Sequence, residues 1–298
     1  MRIHFPLFIL VLLIVSCQKE ISSPTLIIPP VIPPVTSDSI LVSKIIGFDT
    51  TRAAPNDTIY ILKNTYDNMK RLSNTVLTDY IPGVMPSVFS NATYYYQGSD
   101  SLPYKSISVI EQHNFDTTYY NYDLPIRRLI YDSSVTKNDN TIPPDVYESA
   151  TTIGYFGNTV VTTIRRYQFG VYQNTVSYPA YQTFSNGDLV TQRDTTWAGE
   201  IESFNLRYDA NPNPLYSKSS GDVLSYGDDY LVSPGTRHNL VERIETTNGG
   251  VQGGMPAILH IKYFYKYKGN GYPLEVNLQD LGSTTPRNIN KIKYQYTN

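Results

Sequence analysis

The chain is expected to be all-β, an antiparallel meander of hairpins that forms a large curved sheet or a barrel-like domain, soluble and lipid-tethered. Three observations point to the all-β meander. Tyrosine is in excess, with 27 of them against one Trp and ten Phe in 298 residues, and a tyrosine joins a large apolar body to a polar tip that tolerates half-burial. From about Leu41 onward the apolar residues recur with a period of two, not 3.6. The alternating runs are separated by Gly, Asn and Pro, which reverse the chain. A content of 40% apolar residues is enough for a core, and the formal net charge of -2 offers no basic composition to attract nucleic acid.

Residues 1–16 read as a signal peptide. Met1-Arg2 is a short basic start, and the apolar run Phe5 to Val15 is too short to span a bilayer and stops at Ser16-Cys17. Ile14-Val15-Ser16-Cys17 resembles the lipobox of bacterial lipoproteins. That resemblance implies cleavage before Cys17, acylation of its sulfur and new amino group, and a mature protein that begins there. Cys17 is the only cysteine, so none remains for a disulfide inside the domain. Gln18-Lys19-Glu20 is similar to the export signal that follows the cysteine in surface-displayed lipoproteins of some Gram-negative bacteria. The expected location is therefore the outer membrane, facing the cell exterior, with its periplasmic face as second choice.

Residues 17–40 hold prolines at 24, 29, 30, 33 and 34, which exclude a helix or a central strand. In polyproline II these roughly 20 residues reach about 60 Å at about 3.1 Å per residue. A tether that holds the body clear of the membrane is the expectation.

Residues 41–298 are expected to form one domain. In "IKYFYKYKGNGYPLEVNL" (261–278) Ile261, Tyr263, Tyr265 and Tyr267 share one face, Lys262, Phe264, Lys266 and Lys268 the other. Gly269-Asn270-Gly271 turns the chain, and Leu274, Val276 and Leu278 resume the alternation. The segments 93–109, 118–131 and 204–218 repeat this grammar, aromatics before a polar reversal and then proline. Pro103, Pro125, Pro214 and Pro273 are expected at the first residue of a strand, where no ladder bond is lost. Weaker reversals fall at Gly157-Asn158 and Asn186-Gly187, and the unequal spacing argues against a regular solenoid.

"NTYDNMKRLSNTV" (64–76) resembles the tyrosine-aspartate repeats of bacterial surface and toxin-shell proteins, without the glycine usual before the Arg-Leu pair. "RYDANPNPLY" (207–216) and "YKYKGNGYPLEV" (267–276), preceded by "RHNLVERIE" (237–245), resemble a family of lipoproteins of unknown function described as having a porin-like antiparallel β fold. The resemblance implies a fold for residues 41–298 and no catalytic residue. A membrane-spanning barrel needs almost wholly apolar lipid-facing positions and a terminal aromatic, whereas this chain ends "KIKYQYTN".

The chemistry is sparse. His113, His238 and His260 lack a paired ligand spacing, so no metal or cofactor is expected. "KNDN" (137–140) and "YGDDY" (226–230) offer oxygen ligands without an EF-hand spacing and read as turns. Ser134-Val135-Thr136-Lys137 has the spacing of penicillin-binding enzymes but not the helix it must open. "NGGVQGGMP" (248–256) lacks the Lys-Ser/Thr of a phosphate cradle and reads as a long loop. Glu200 and Glu202, on one strand face beside Trp197, are the candidate carboxylates for glycoside hydrolysis. Trp197, Tyr95 and Tyr120 are the candidate platforms for stacking a sugar; alternation in 94–96 and at 119–120 sends rings to both faces. Asp38-Ser39-Ile40, Asp57-Thr58-Ile59 and Asp100-Ser101-Leu102 resemble glycosylation sites of exported bacterial proteins.

The function expected is a surface-anchored, non-enzymatic binding or structural module, with glycan as one ligand class. The alternatives are a glycan-degrading hydrolase and an accessory subunit of an outer-membrane complex. Its partners would be the membrane, through the lipid anchor only, and a polysaccharide or envelope protein.

Overall fold

In the computed structural model the described residues are 41–54, 57–81, 84–111, 113–123, 128–141, 143–186, 188–195, 201–214, 236–248, 257–282 and 287–297. Sixteen strands follow in order: β1 (Leu41–Asp49), β2 (Thr58–Tyr66), β3 (Leu72–Asp79), β4 (Ser87–Tyr95), β5 (Lys105–Ile110), β6 (Asn114–Asp123), β7 (Arg128–Asn138), β8 (Asp145–Phe156), β9 (Thr159–Gln168), β10 (Val171–Ser185), β11 (Asp188–Thr195), β12 (Ile201–Pro212), β13 (His238–Asn248), β14 (Ala257–Tyr267), β15 (Pro273–Asp280) and β16 (Arg287–Thr297). Each pairs antiparallel with its neighbours in sequence, and β1 pairs with β16, so the meander closes into a barrel. Closure leaves no edge strand to pair with another chain. The reversals at 157–158 and 186–187 join β8 to β9 and β10 to β11, with Gly157 and Asn186 at positive φ.

The chain enters and leaves at one rim, where β1 starts and β16 ends. The turns from each even strand to the next odd strand lie at this rim, and the odd-to-even turns lie at the other. Pro273 opens β15 as expected and is fully buried. Pro214 does not open a strand; it lies in the turn after β12, because the ladder resumes only at His238. Pro125 falls outside the described residues, as do 1–40, Trp197, Glu200, 226–230 and 249–256.

The core identifies the inner face. Val42, Ile45, Leu62, Leu240, Ile261, Tyr263, Val276, Leu278, Ile292 and Tyr294 form one buried cluster, all on β13–β16 and β1–β2. Directly opposed residues share a face, so the inner face can be followed from strand to strand. Leu62 pairs with Leu77, Leu77 with Ser90, Ser106 with Thr118 and with Tyr94, Thr118 with Ser134, and Ser134 with Ser149. In the other direction Ile261 pairs with Arg243, Arg243 with Leu206, and Phe204, on the face of Leu206, with Gln192. As expected, Ile261, Tyr263, Tyr265 and Tyr267 face inward and Lys262, Phe264 and Lys266 outward.

Six tyrosines do the same job. Near the start of β1, β3, β7, β11, β13 and β15 the register slips by one residue against a neighbouring strand, at Ser43, Ser73, Ile130, Val190, Val241 and Leu274. A bulge interrupts the ladder, and the carbonyl just before each one lies beyond the last paired position with the other neighbour. A phenol from that strand, or from the residue just past its end, fills the gap: Tyr66 donates to Val42 O (2.9 Å), Tyr96 to Leu72 O (2.8 Å), Tyr155 to Leu129 O (3.0 Å), Tyr208 to Leu189 O (2.8 Å), Tyr265 to Leu240 O (3.0 Å) and Tyr296 to Pro273 O (2.5 Å). In every case the tyrosine stands three residues past the last ladder partner, which is Lys63, Thr93, Thr152, Asn205, Lys262 or Lys293. The repeated aromatic before each reversal is thus an acceptor-satisfying collar around one rim, needed because a buried carbonyl without a donor costs about 1–3 kcal/mol.

Where aspartate follows the tyrosine, it ties the next turn. Asp67 accepts the amides of Met69 and Arg71 and the Arg71 guanidinium. Asp209 accepts the amides of Asn211 and Asn239, the Asn211 side chain and the Tyr267 hydroxyl. At the same rim Asp188 receives the amides of Arg237 and His238 and pairs with the His238 ring at 2.6 Å, holding the base of the long connection before β13.

Candidate functional site

The barrel has two unlike halves. On β14–β16 and β1 the inner face is mainly Leu, Ile, Val and Tyr, with Asp49, Asn290 and Asp280 toward the odd-to-even rim, while the outer face carries Lys262, Lys266, Glu275, Lys291, Lys293 and Lys44. On β5–β8 the polarity reverses. Inward point Ser106, Ser108, Asp116, Thr118, Tyr120, Asp132, Ser134, Thr136, Ser149 and Thr151, with Ile110, Tyr147 and Ile153 as apolar exceptions; outward point Ile107, Val109, Phe115, Tyr119, Tyr131, Val135 and Phe156, with Lys105, Lys137 and Glu148 among them. Most of these inner groups are half-buried rather than buried, so the wall keeps hydrogen-bonding capacity that a packed core would have consumed.

Register builds the inner polar surface in rows. Tyr120 sits opposite Asp132, and Asp132 opposite Thr151; Thr118 sits opposite Ser134, and Ser134 opposite Ser149. The Tyr120 hydroxyl is 2.8 Å from Ser106 Oγ, and Ser134 Oγ is 2.8 Å from Ser149 Oγ. Asp116 accepts hydroxyls from Thr118 (3.1 Å) and Thr136 (3.2 Å). Burial raises the Asp132 carboxyl above its ordinary range; a hydrogen bond from Thr151 works against this, and the Asp116 charge adds to it. Burial also raises the Tyr120 phenol. Two carboxyls in unlike surroundings and a row of hydroxyls can hold a hydroxyl-rich ligand, and unlike surroundings also separate an acid from a base.

The residues singled out in sequence are dispersed. Tyr120 is inside, beside Tyr122 with ring centroids 6.4 Å apart. Tyr95 is outside and 38% exposed, so the wall separates the two and they cannot hold one ligand. Lys105 stands between Tyr95 and Tyr119 in register, its Nζ 5.6 Å and 5.3 Å from their ring centroids. These outer rings are held as a cross-strand cation–π ladder. Glu202 is half-buried on the inner face of β12, opposite Thr247. Cys17, Trp197 and Glu200 lie outside the described residues.

Each histidine among the described residues has its own carboxylate: His113 with Asp139 (3.1 Å), His238 with Asp188 (2.6 Å) and His260 with Glu242 (2.9 Å). They sit at one rim, at the other and on the outer wall. Among the described residues no group of three His, Cys, Asp or Glu side chains could hold a metal. Ser134 faces inward and Lys137 outward on β7, so alternation keeps the S-x-x-K pair apart.

Asp116 and Asp132 were not conspicuous in sequence, since neither forms a motif. The available signal was the alternation in "FDTTYYNY" and "YDSSVTK", which places small polar residues at every second position of two consecutive strands.

No family model matches the chain, and no curated protein matches it. Solved structures of similar shape exist. One is a porin-like protein from Bacteroides vulgatus, with TM-score 0.49, 11% identity, and 87% of this chain and 99% of that one covered. Another is a porin-like protein from Bacteroides uniformis, with TM-score 0.38, 11% identity, and 86% and 98% covered.

Proposed function

We propose that the protein is a surface lipoprotein of the outer membrane of a Gram-negative bacterium, held through Cys17, whose barrel is a non-enzymatic binding module standing outside the bilayer. The observation that carries this reading is the charge on the outer face of β14–β16 and β1. A lipid-facing strand must be nearly free of such residues, because one lysine at the midplane costs roughly 2–4 kcal/mol, and this wall presents Lys262 and Lys291 in mid-strand, with Lys44, Lys266 and Lys293 nearer one rim. The inner wall of β5–β8 is the binding face, and hydroxyl-rich polysaccharide is the ligand class its side chains suit. Retention of the protein on envelope or dietary polysaccharide columns, weakened in Asp132→Asn and Tyr120→Phe and unchanged in Tyr95→Ala, is the expected result. Equal weakening in Tyr95→Ala would move the site to the outer wall. Labelled palmitate should be incorporated by the native chain and not by Cys17→Ser.

Glycoside hydrolysis is the second reading, favoured by the raised Asp132 carboxyl near Asp116. Release of reducing sugar that is lost in Asp132→Asn would replace binding with catalysis.

A further inference from the structure

We propose that the outer lysines of β2, β1 and β16 form a docking strip that lays the anchored end of the barrel against the phosphate-bearing headgroups of the membrane that holds its acyl chains. The proposal rests on the anchored reading above. Lys44 and Lys63 are directly opposed on β1 and β2. Lys293 is opposed to Ile46, the next outward residue of β1 after Lys44. Like charges facing across a ladder repel, so three cations on adjacent strands are costly unless an anion meets them. Among the described residues, the one outer carboxylate on β14–β16, β1 and β2 is Glu275. It is engaged by Lys266 at 2.9 Å and Lys291 at 3.8 Å, and Lys262 leans toward Glu242 at 3.8 Å. Among the described residues Lys44, Lys63 and Lys293 have no carboxylate partner, and the Lys293 ammonium rests 5.1 Å from the Phe48 ring centroid.

Their position selects the partner. Lys44 follows Leu41, where the tether joins β1, by about 10 Å of strand at about 3.4 Å per residue. Lys63 and Lys293 lie as close to the same rim, near the ends of β2 and β16. The strip therefore begins where the lipid anchor enters, and an anionic surface attracts such lysines only within a Debye length of about 8 Å. The barrel then leans on its basic side instead of standing clear.

The test uses the full acylated protein on zwitterionic and on phosphatidylglycerol-containing vesicles, with lysine acetylation followed by peptide mass spectrometry at low and high salt. Lys44, Lys63 and Lys293 should acetylate several-fold more slowly on the anionic vesicles at low salt and recover at high salt, with Lys137 unchanged. Equal rates on both vesicles would overturn the proposal. Protection by soluble polyphosphate but not by anionic vesicles would also overturn it, assigning the strip to a free polyanion. The single variant K44Q should keep its circular dichroism and weaken the salt-sensitive protection of Lys63 and Lys293; protection of those two left unchanged would overturn a shared strip. The mass of the Cys17 peptide separates the two readings. An acylated peptide without lysine protection defeats the docking strip alone, and protection without acylation defeats the anchor alone.

Discussion

The wall formed by β13–β16 and β1–β2 and the wall formed by β5–β8 use the same pleat in opposite senses. In the first, Ile45, Leu62, Ile261, Leu278 and Ile292 are essentially inaccessible and lysines face out, the apolar-in, polar-out alternation of an antiparallel sheet with one packed face. In the second, hydroxyls and carboxylates face in and aromatic and aliphatic residues face out. One wall packs the core and the other retains donors and acceptors, on half-buried polar groups that contribute little packing. The difference teaches that closure of the barrel does not require a uniform interior.

Substitutions sharpen the contrast in order of size. Leu278→Ala removes a fully buried side chain and should cost about 2–5 kcal/mol, read as a shift in the denaturant midpoint. Gly47→Ala comes next. Its Cβ would stand 2.3 Å from the Tyr60 ring, so the ring must move, at a cost of about 1–3 kcal/mol. Tyr265→Phe leaves the Leu240 carbonyl without its phenol and should cost about 1–3 kcal/mol. On the other wall Ser134→Ala should cost less than about 1 kcal/mol, with Ser149 still half-exposed. A Ser134→Ala penalty equal to that of Leu278→Ala would erase the distinction.

Alkaline titration separates the walls in another way. Burial, reinforced by neighbouring phenols, raises Tyr294 and Tyr265 well above their ordinary value of 10.0. A group with a raised folded pKa contributes stability that is complete below its unfolded value and is lost as pH rises toward the folded one. The contribution of these phenols should therefore be constant below about pH 10 and fall above it, and Tyr294→Phe should blunt that fall. Denaturant midpoints measured across the alkaline range would check it; an unchanged slope in Tyr294→Phe would contradict it.

Much of the fold was legible in the sequence because strand period and turn chemistry are local. The alternation in 261–268, the Gly-Asn-Gly reversal and the start at Leu41 all concern neighbouring residues. The purpose of the tyrosines was only half legible. Their recurrence before each reversal was visible, but the carbonyl that Tyr66 satisfies belongs to Val42 on another strand, and the bulge at Ser43 that leaves it unpaired is a property of pairing. Closure is likewise non-local, since it depends on β1 meeting β16. The inward carboxyls Asp116 and Asp132 were hidden for the same reason, because which face of β6 and β7 is inner is decided only when the ring is complete. Tyr95 and Tyr120 looked like equivalent candidates until closure put them on opposite sides of one wall.

The two-wall account is tested most directly by amide hydrogen exchange on the intact protein. Peptides covering 261–266, 275–279 and 291–296 should exchange much more slowly than peptides covering 115–120, 131–136 and 149–153, because opening the first wall exposes a packed apolar cluster and opening the second does not. Uniform protection around the ring, or faster exchange in the first group, would contradict it.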